Sequence, residues 1–471
     1  MSEVNVFIDT VTIAPVAARR PGGARTVTAR GGIPAAVPSG WAVRDRIGGV
    51  SGDLVVRNAT LATLAGPAPR RGSALGDLGL VESGALVARE GRLSYVGPEA
   101  GLEGSGLPAG ARSIDAEGAV VLPGFVDPHT HIVFAGDRDD ELRRRLAGAS
   151  YAEIAAAGGG IVRSVEETRA VPLEELEAGL RARLDELLLA GTTTAEVKSG
   201  YGLETSAELR SLEAIARAKD HPVSLVPTFL GAHEVPVEHR ASRERYVESV
   251  CSEMIPEVAR RGLARYCDVF CEQGVFSVAE SRRILVTARE AGMGLRLHAD
   301  ELADSGGAAL AAELGARSAD HLVHVSADSR RRLAAAGCAA TLLPAAAFYL
   351  KLGRYAPARE LIADGVTLAL ASDANPGGGL SPSMPFAIAL ACFGMGLSLE
   401  EALCAATLNA AWTLGLEGEV GSLEVGKRAD LVMLRSRRLL DLVRIGVPAV
   451  RRVVAGGRVV VEEGRRVSTA H

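Results

Sequence analysis

Apolar and polar positions alternate in different ways along this chain, and each pattern predicts a different kind of element. Residues 53–64 (DLVVRNATLATL), 85–96 (ALVAREGRLSYV) and 114–122 (IDAEGAVVL) are short runs rich in Val and Leu that predict β-strands. Glu90-Gly91 punctuates the second as a hairpin turn. Further along, residues 429–434 and 449–461 read the same way, with Gly456-Gly457 at their turn. Two all-β segments flanking a long middle predict one small β domain built from both, over residues 53–122 and 415–465.

The middle alternates strand with helix. Leu173, Leu176, Leu180, Leu184 and Leu187 recur at steps of three and four, which marks one face of a helix. Gly191 stops it, and Thr192-Thr193-Thr194 opens a strand. Strands of this kind lead into His129-Thr130-His131, Glu196-Val197-Lys198 and residues 229–233, 269–273, 295–298, 318–321, 341–344 and 368–373. Eight of them, each followed by a helical or Gly-rich segment, predict an α/β fold: a (β/α)8 TIM-type barrel over residues 123–414. The span from His129 to Asp373 matches the roughly 250 residues typical of such barrels. Polar residues gather at the C-terminal strand ends, where barrel enzymes carry their active sites.

Composition adds exclusions. With 48% hydrophobic and 23% charged residues, the 471-residue chain can bury a large core. A net charge of −5 gives no long-range attraction to nucleic acid or to an anionic membrane. Arg143-Arg144-Arg145 reads as a solvated helix face. None of the six cysteines forms a CxxC pair, so a zinc ribbon or thiol redox motif is unsupported. No basic-then-apolar leader opens the sequence and no apolar run of about 18 residues interrupts it, so a cytoplasmic protein is expected. Residues 1–52, frequent in Pro and Gly and without period, are expected to form a flexible extension, and residues 466–471 a tail.

The candidate chemistry begins at His129 and His131. Residues i and i+2 of a strand face the same way, so both imidazoles can enter the barrel mouth and share one ion. His298 and Asp373 end two later strands. Three neutral imidazoles and a carboxylate suit zinc or iron, leaving a position open for water, whose pKa falls towards ~7 when bound.

These residues carry a resemblance. The segment 123–131 (PGFVDPHTH), the strand-end residues His298, His321 and Asp373, and the later run 421–430 (GSLEVGKRAD) resemble the amidohydrolase superfamily. Its two-metal members end the fourth barrel strand with a carbamylated lysine. Here that strand ends Cys271-Glu272-Gln273, so the resemblance implies one Zn2+, Fe2+ or Fe3+ ion per subunit. Lys198 lies at the second strand and reads as the partner of a carboxylate such as Glu196 or Glu204. By the same resemblance Glu301 transfers protons, with Asp300 the competing candidate. His321 would orient the water and stabilise charge developing at the attacked carbonyl.

Further motifs are similar to those of the imidazolonepropionases: residues 134–138 (FAGDR), 148–161 (GASYAEIAAAGGGI), 196–203 (EVKSGYGL), 229–233 (FLGAH) and 372–377 (SDANPG). That branch implies attack of a metal-bound hydroxide on 4-imidazolone-5-propanoate, opening the ring C–N bond to give N-formimidoyl-L-glutamate in histidine degradation. Arg138 would hold the propionate through a bidentate contact. Tyr201 and His233 would add hydrogen bonds, and Asn375 with the backbone of Gly377 and Gly378 would hold the new carboxylate. The branch commonly carries a hydroxyl residue where this chain has Gly378. Blander roles stay open: Arg138 pairing with Asp139 or Asp140, Tyr201 as rim packing, His233 as a buried hydrogen bonder, Gly377-Gly378 as a turn. The expected partner is a small-molecule substrate, without nucleic acid or membrane, in a homodimer. Two other readings are a cytosine- or guanine-type deaminase of the same superfamily and a non-catalytic scaffold. Arg138, Tyr201 and His233 argue against the first, and the complete ligand set against the second.

Overall fold

Two sheets organise the residues described by the structure, a computed structural model. These are residues 53–467 apart from 106, 108–109, 150–152 and 154–158. The expected extension over residues 1–52, part of the 148–161 loop and the last residues of the tail lie outside them.

The first sheet begins with β1 (Leu54–Ala62), β2 (Leu80–Arg89), β3 (Arg92–Pro98), β4 (Arg112–Asp115) and β5 (Val120–Pro123). The β2–β3 turn is Glu90-Gly91, both residues at positive φ, the geometry that matches the twist of a two-residue hairpin. The expected single strand over residues 114–122 is instead two. Both pieces run parallel to β1, but Glu117 and Gly118 turn left-handed between them, opposite a left-handed Asn58 in β1. Gly118 N donates to Asn58 O at 2.7 Å, so both strands break their pairing together.

The second sheet is the barrel. Its strands are β6 (Phe125–Asp127), β7 (Thr192–Lys198), β8 (Ser224–Ala232), β9 (Tyr266–Cys271), β10 (Gly294–Ala299), β11 (Ser318–His321), β12 (Ala339–Leu342) and β13 (Leu368–Leu370). Neighbours in this order pair in parallel from β6 to β13. The helix Leu173–Leu189 buries Leu176, Leu180, Leu184, Leu187 and Leu188, each worth roughly 1.5–3 kcal/mol of transfer free energy. Leu173, at its start, is only half-buried. After the barrel the chain returns to the first sheet as β14 (Leu431–Leu434), β15 (Val450–Ala455), β16 (Arg458–Glu462) and β17 (Arg465–Arg466), with β14 antiparallel to β5. The protein is therefore a (β/α)8 barrel with an additional β domain. Among the described residues, no helix is long and apolar enough to cross a membrane.

The basic triplet departs from its expected solvated face. Arg143 and Arg144 are exposed, but Arg145 is buried and donates to Gly377 O at 2.9 Å. The helix Asp139–Leu146 is polar nearly all round, so no apolar stripe announced which side faces inward.

Closure of the barrel is unlike its other seams. Among the described residues, no strand ladder joins β13 to β6. Instead Thr130 and Ala374 form an isolated parallel bridge, His131 N donates to Ala374 O at 2.9 Å, and Asp373 N donates to His129 O at 3.1 Å. Below this bridge the buried Asp127 carboxylate accepts from Ser372 N at 3.0 Å and from the Ser372 hydroxyl. Burial pushes the Asp127 carboxyl up to about 7 against these hydrogen bonds. Removing the acceptor strands both donors in the interior. Asp127→Ala should therefore lose about 1–3 kcal/mol of stability. Ser372→Ala keeps the backbone N–H bond to Asp127 but removes the hydroxyl that donates to Asp127 and accepts from Ala374 N, so its loss should be similar. Thermal denaturation measures both, and an unchanged melting temperature in Asp127→Ala would remove Asp127 from this role.

Candidate active site

The residues singled out along the sequence converge at the C-terminal end of the barrel. β6 stops at Asp127, so His129 and His131 lie just beyond the strand rather than within it, held in register by the bridge to Ala374. They still face the same way. His131 Nε2 lies 3.1 Å from His129 Nε2 and 3.1 Å from His298 Nε2. Asp373 Oδ1 lies 3.6 Å from both His129 Nε2 and His131 Nε2. All four side chains are buried. Asp373, Asp300, His321 and Leu322 all sit at positive φ, which costs free energy in non-glycine residues and recurs at functional strand ends.

This set fits a metal ion. Burial first, then neighbouring positive groups, hold the His129 and His131 imidazoles well below their ordinary range, so both are neutral with lone pairs to offer. One N–H can serve only one of the two close contacts at His131 Nε2, and a shared cation serves both. For metal–nitrogen distances near 2.0–2.1 Å, tetrahedral ligands stand about 3.3 Å apart, close to the spacing observed. Burial also pushes the Asp373 carboxyl up to about 7, a penalty that an adjacent cation would offset.

Beneath the imidazoles lies a set of buried charges that the sequence pattern did not reveal, apart from Lys198 and Glu196. Asp320 Oδ2 accepts from His129 Nδ1 at 2.7 Å and pairs with Arg296 Nη2 at 3.3 Å. Asp268 Oδ2 lies 3.1 Å from His298 Nδ1 and 2.7 Å from Lys198 Nζ. Glu196 closes the circuit, 2.8 Å from Lys198 Nζ and 3.1 Å from Arg296 Nε. Carboxylates behind ligand imidazoles fix the tautomer and leave Nε2 for the ion. Lys198 thus pairs with Glu196, as expected, and with Asp268, whereas Glu204 is exposed. A charge set inside an apolar strand, as in YCDVFC, GLRLHA and SADH, was the available signal.

The two acidic candidates after His298 separate. Asp300 turns back onto its own chain, its carboxylate accepting from the N–H groups of Ser305, Gly307 and Ala308 at 3.1, 3.0 and 3.3 Å at the start of the helix Gly307–Leu314. Glu301 makes no such commitment. Its Oε1 lies 3.4 Å from His321 Nδ1, and burial with help from Asp373 and Glu272 raises its carboxyl to about 8. His321 rests 5.4 Å from His129 and 5.2 Å from His298 between ring centres. Burial keeps it neutral, and its Nε2 has no hydrogen-bond partner among the described residues. His324 is half-buried, its Nδ1 3.5 Å from Arg354 Nη1.

The remaining candidates form a second group beside the ligands. The His233 ring stacks on His131, with centres 4.9 Å apart, and its Nδ1 donates to Gly200 O at 3.0 Å. Burial lowers its pKa to about 3, leaving Nε2 as an acceptor. Tyr201 packs edge-on against both rings, 5.3 Å from His233 and 6.2 Å from His131. Arg138 is buried and pairs not with Asp139 or Asp140 but with Glu141, through Nε and Nη2 at 2.8 Å each. Glu141 also accepts from Gly160 N at 2.7 Å. The guanidinium lies so close over Gly377 that an added Cβ would stand 2.3 Å from its Cζ. This places Arg138 on the loop that begins with Asp373. In that loop Asn375 Oδ1 accepts from Gly377 N at 2.8 Å and Gly378 N at 2.6 Å, while Nδ2 donates to Asp373 O at 2.7 Å. In this conformation both glycine N–H groups are committed to the turn, so contact with a product carboxylate would require Asn375 to release them.

Known proteins share this architecture. Residues 142–461 match the family model described as the amidohydrolase family. A protein of Symbiobacterium thermophilum named imidazolonepropionase is 54% identical over 88% of this chain and 98% of its own length. One of that name from Geobacillus kaustophilus is 46% identical over 88% of this chain and 99% of its own. Among solved structures, a zinc-bound adenosine deaminase from Xanthomonas campestris aligns with TM-score 0.67 over 89% of this chain and 95% of that one. At 20% identity it speaks for the fold alone. With this fold, and with relatives this similar along nearly their whole length, the chain belongs to the imidazolonepropionase family of amidohydrolases.

Proposed function

We propose that this chain hydrolyses the ring C–N bond of 4-imidazolone-5-propanoate to N-formimidoyl-L-glutamate in histidine degradation, at a centre holding one zinc or iron ion. The observation that carries the reading is the meeting of His129, His131, His298 and Asp373 with the Glu301–His321 pair at one barrel mouth. These four residues would hold the ion, which when bound polarises the ring carbonyl and makes water acidic enough to attack it. Glu301 takes the proton released as the water oxygen bonds to the carbonyl carbon. The same carboxyl, now protonated, delivers that proton to the leaving ring nitrogen as the C–N bond breaks. His321, with hydrogen on Nε2, donates towards the oxygen on which charge develops.

Substrate placement falls to the second group. Arg138 receives the propionate on the edge of the guanidinium that Glu141 does not use, and the Glu141 pair keeps that edge from swinging. His233 Nε2 accepts from a ring N–H, and Tyr201 closes the pocket beside it. Asn375 and its turn with Gly377 and Gly378 line the side where the new carboxylate forms. The same reading takes the protein to be a cytoplasmic homodimer acting on a small molecule.

Elemental analysis of purified protein should find close to one zinc or iron ion per chain, and chelation should abolish turnover. It should also lower the melting temperature, because the ligands are the residues that close the barrel. Two tightly held, activity-linked ions would end the single-metal reading.

Glu301→Gln keeps the shape and removes the base. Its metal content should be normal while kcat falls by roughly 100-fold or more. A metal-loaded variant with near-normal kcat would move the proton transfers to His321.

Arg138→Met keeps bulk and removes the guanidinium. Loss of a charged hydrogen bond of roughly 1.5–3 kcal/mol should lower kcat/KM by about 10- to 150-fold without changing metal content. A substrate analogue with a neutral amide in place of the carboxylate should be poor for wild type and scarcely worse for the variant. Equal losses on both substrates would show that Arg138 does not read the carboxylate.

A further inference from the structure

The buried charges beneath the site do more than neutralise one another. Lys198 is the last residue of β7, and its backbone N donates to Thr130 O at 3.0 Å, between the two ligand histidines. That bond fixes the register of the side chain below the imidazoles. There the ammonium lies 2.7 Å from Asp268 Oδ2, 2.8 Å from Glu196 Oε2 and 4.0 Å from Asp320 Oδ2, every side chain fully buried. Arg296 reaches Glu196 and Asp320, and Asp268 has Lys198 as its cation.

Two groups of residues in this region could each gather a metal ion. One is His129, His131 and His298. The other is His129, Asp268 and Asp320, whose ligand atoms also lie within 4.8 Å of one another; the two groups share His129, so an ion in each would take Nε2 for the first and, with the proton on Nδ1 lost, Nδ1 for the second. The second group is crossed by Lys198, whose Nζ contacts both of its carboxylates. Lys198 is the cation beside Asp268 and shares Glu196 with Arg296, so without it the three buried carboxyl groups would face one small volume with Arg296 beside only Glu196 and Asp320. Buried carboxylates in that condition take up either protons or a cation.

We propose that Lys198 is a positioning residue that holds the centre to one metal ion, its ammonium filling the carboxylate pocket in which a second divalent cation would otherwise lie. The inference rests on the single-metal reading above. It assigns the choice of metal number to a side chain on the second strand. A lysine that served only as a structural ion pair could be replaced without any change in metal count.

The experiment compares wild type with Lys198→Ala, which empties the pocket, and Lys198→Met, which fills it without charge. Each full-length protein is equilibrated with excess zinc, freed of unbound ion, confirmed folded by circular dichroism, and assayed for zinc per chain. The expected counts are one for wild type, two for Lys198→Ala and one for Lys198→Met. A thermal shift from the second equivalent of zinc should appear in Lys198→Ala alone. Should Lys198→Ala fail to fold, Lys198→Ala/Glu196→Gln restores the wild-type net charge and keeps His129, Asp268 and Asp320. It should bind two ions, or refold only when zinc is supplied. One ion per chain in wild type and in the pocket-emptied variants overturns the proposal and leaves the single-metal reading standing. Failure of the double variant to fold with or without zinc also overturns it. Two ions in wild type would instead overturn the single-metal reading itself.

Discussion

Five ionisable side chains, Glu196, Lys198, Asp268, Arg296 and Asp320, share the barrel interior with no exposure to water, and the site above them depends on how they pair. Each buried ion carries a desolvation penalty of several kcal/mol, which attraction offsets only when every partner is well placed. The placement comes from β7, β9, β10 and β11, each of which turns one or two of these residues into the barrel interior. Their alignment gives His129 and His298 a carboxylate behind Nδ1. The orientation of these two imidazoles, proposed to hold the ion, is thus decided below the site.

The same level of the molecule closes the barrel. Where a ladder would normally join the last strand to the first, the chain uses the backbone of His129, Thr130, His131, Asp373 and Ala374. His129, His131 and Asp373, from the two sides of that seam, meet around one point, and the positive φ of Asp373 is held in place by hydrogen bonds on both sides. Glu301 gains its raised pKa from the same enclosure, since burial and not a single neighbour is the largest cause.

Much of this was legible in the chain. The strand positions were readable because buried strands leave dense apolar runs and because glycines punctuate them. The meeting of His129, His131, His298 and Asp373 was readable because all four follow the apolar runs of barrel strands, although His129 and His131 lie just past their strand and are aligned by the bridge to Ala374. The support beneath them was not, because a lone Asp268 or Arg296 within an apolar strand acquires meaning only from strands far away in sequence. The break at Glu117-Gly118 escaped because β propensity cannot report a kink shared with a neighbouring strand. Arg145 escaped because a helix polar on every side gives no direction to its faces. The commitment of Asn375 to its own turn was also unreadable, since Asn serves turns and ligands through the same atoms.

With the proposed ligand set, a seam closed by these residues would tie the lifetime of the protein to the supply of its ion. Binding to the closed form alone adds stability by mass action, about 4 kcal/mol when free ion exceeds its dissociation constant a thousandfold. The added stability dwindles as the ion becomes scarce. Local opening at the bridge between Thr130 and Ala374 would then expose the backbone around it to proteases, which act on the population of open molecules. A cell short of the ion would thus lose the protein itself, and not only its turnover, with no regulator needed to sense the shortage.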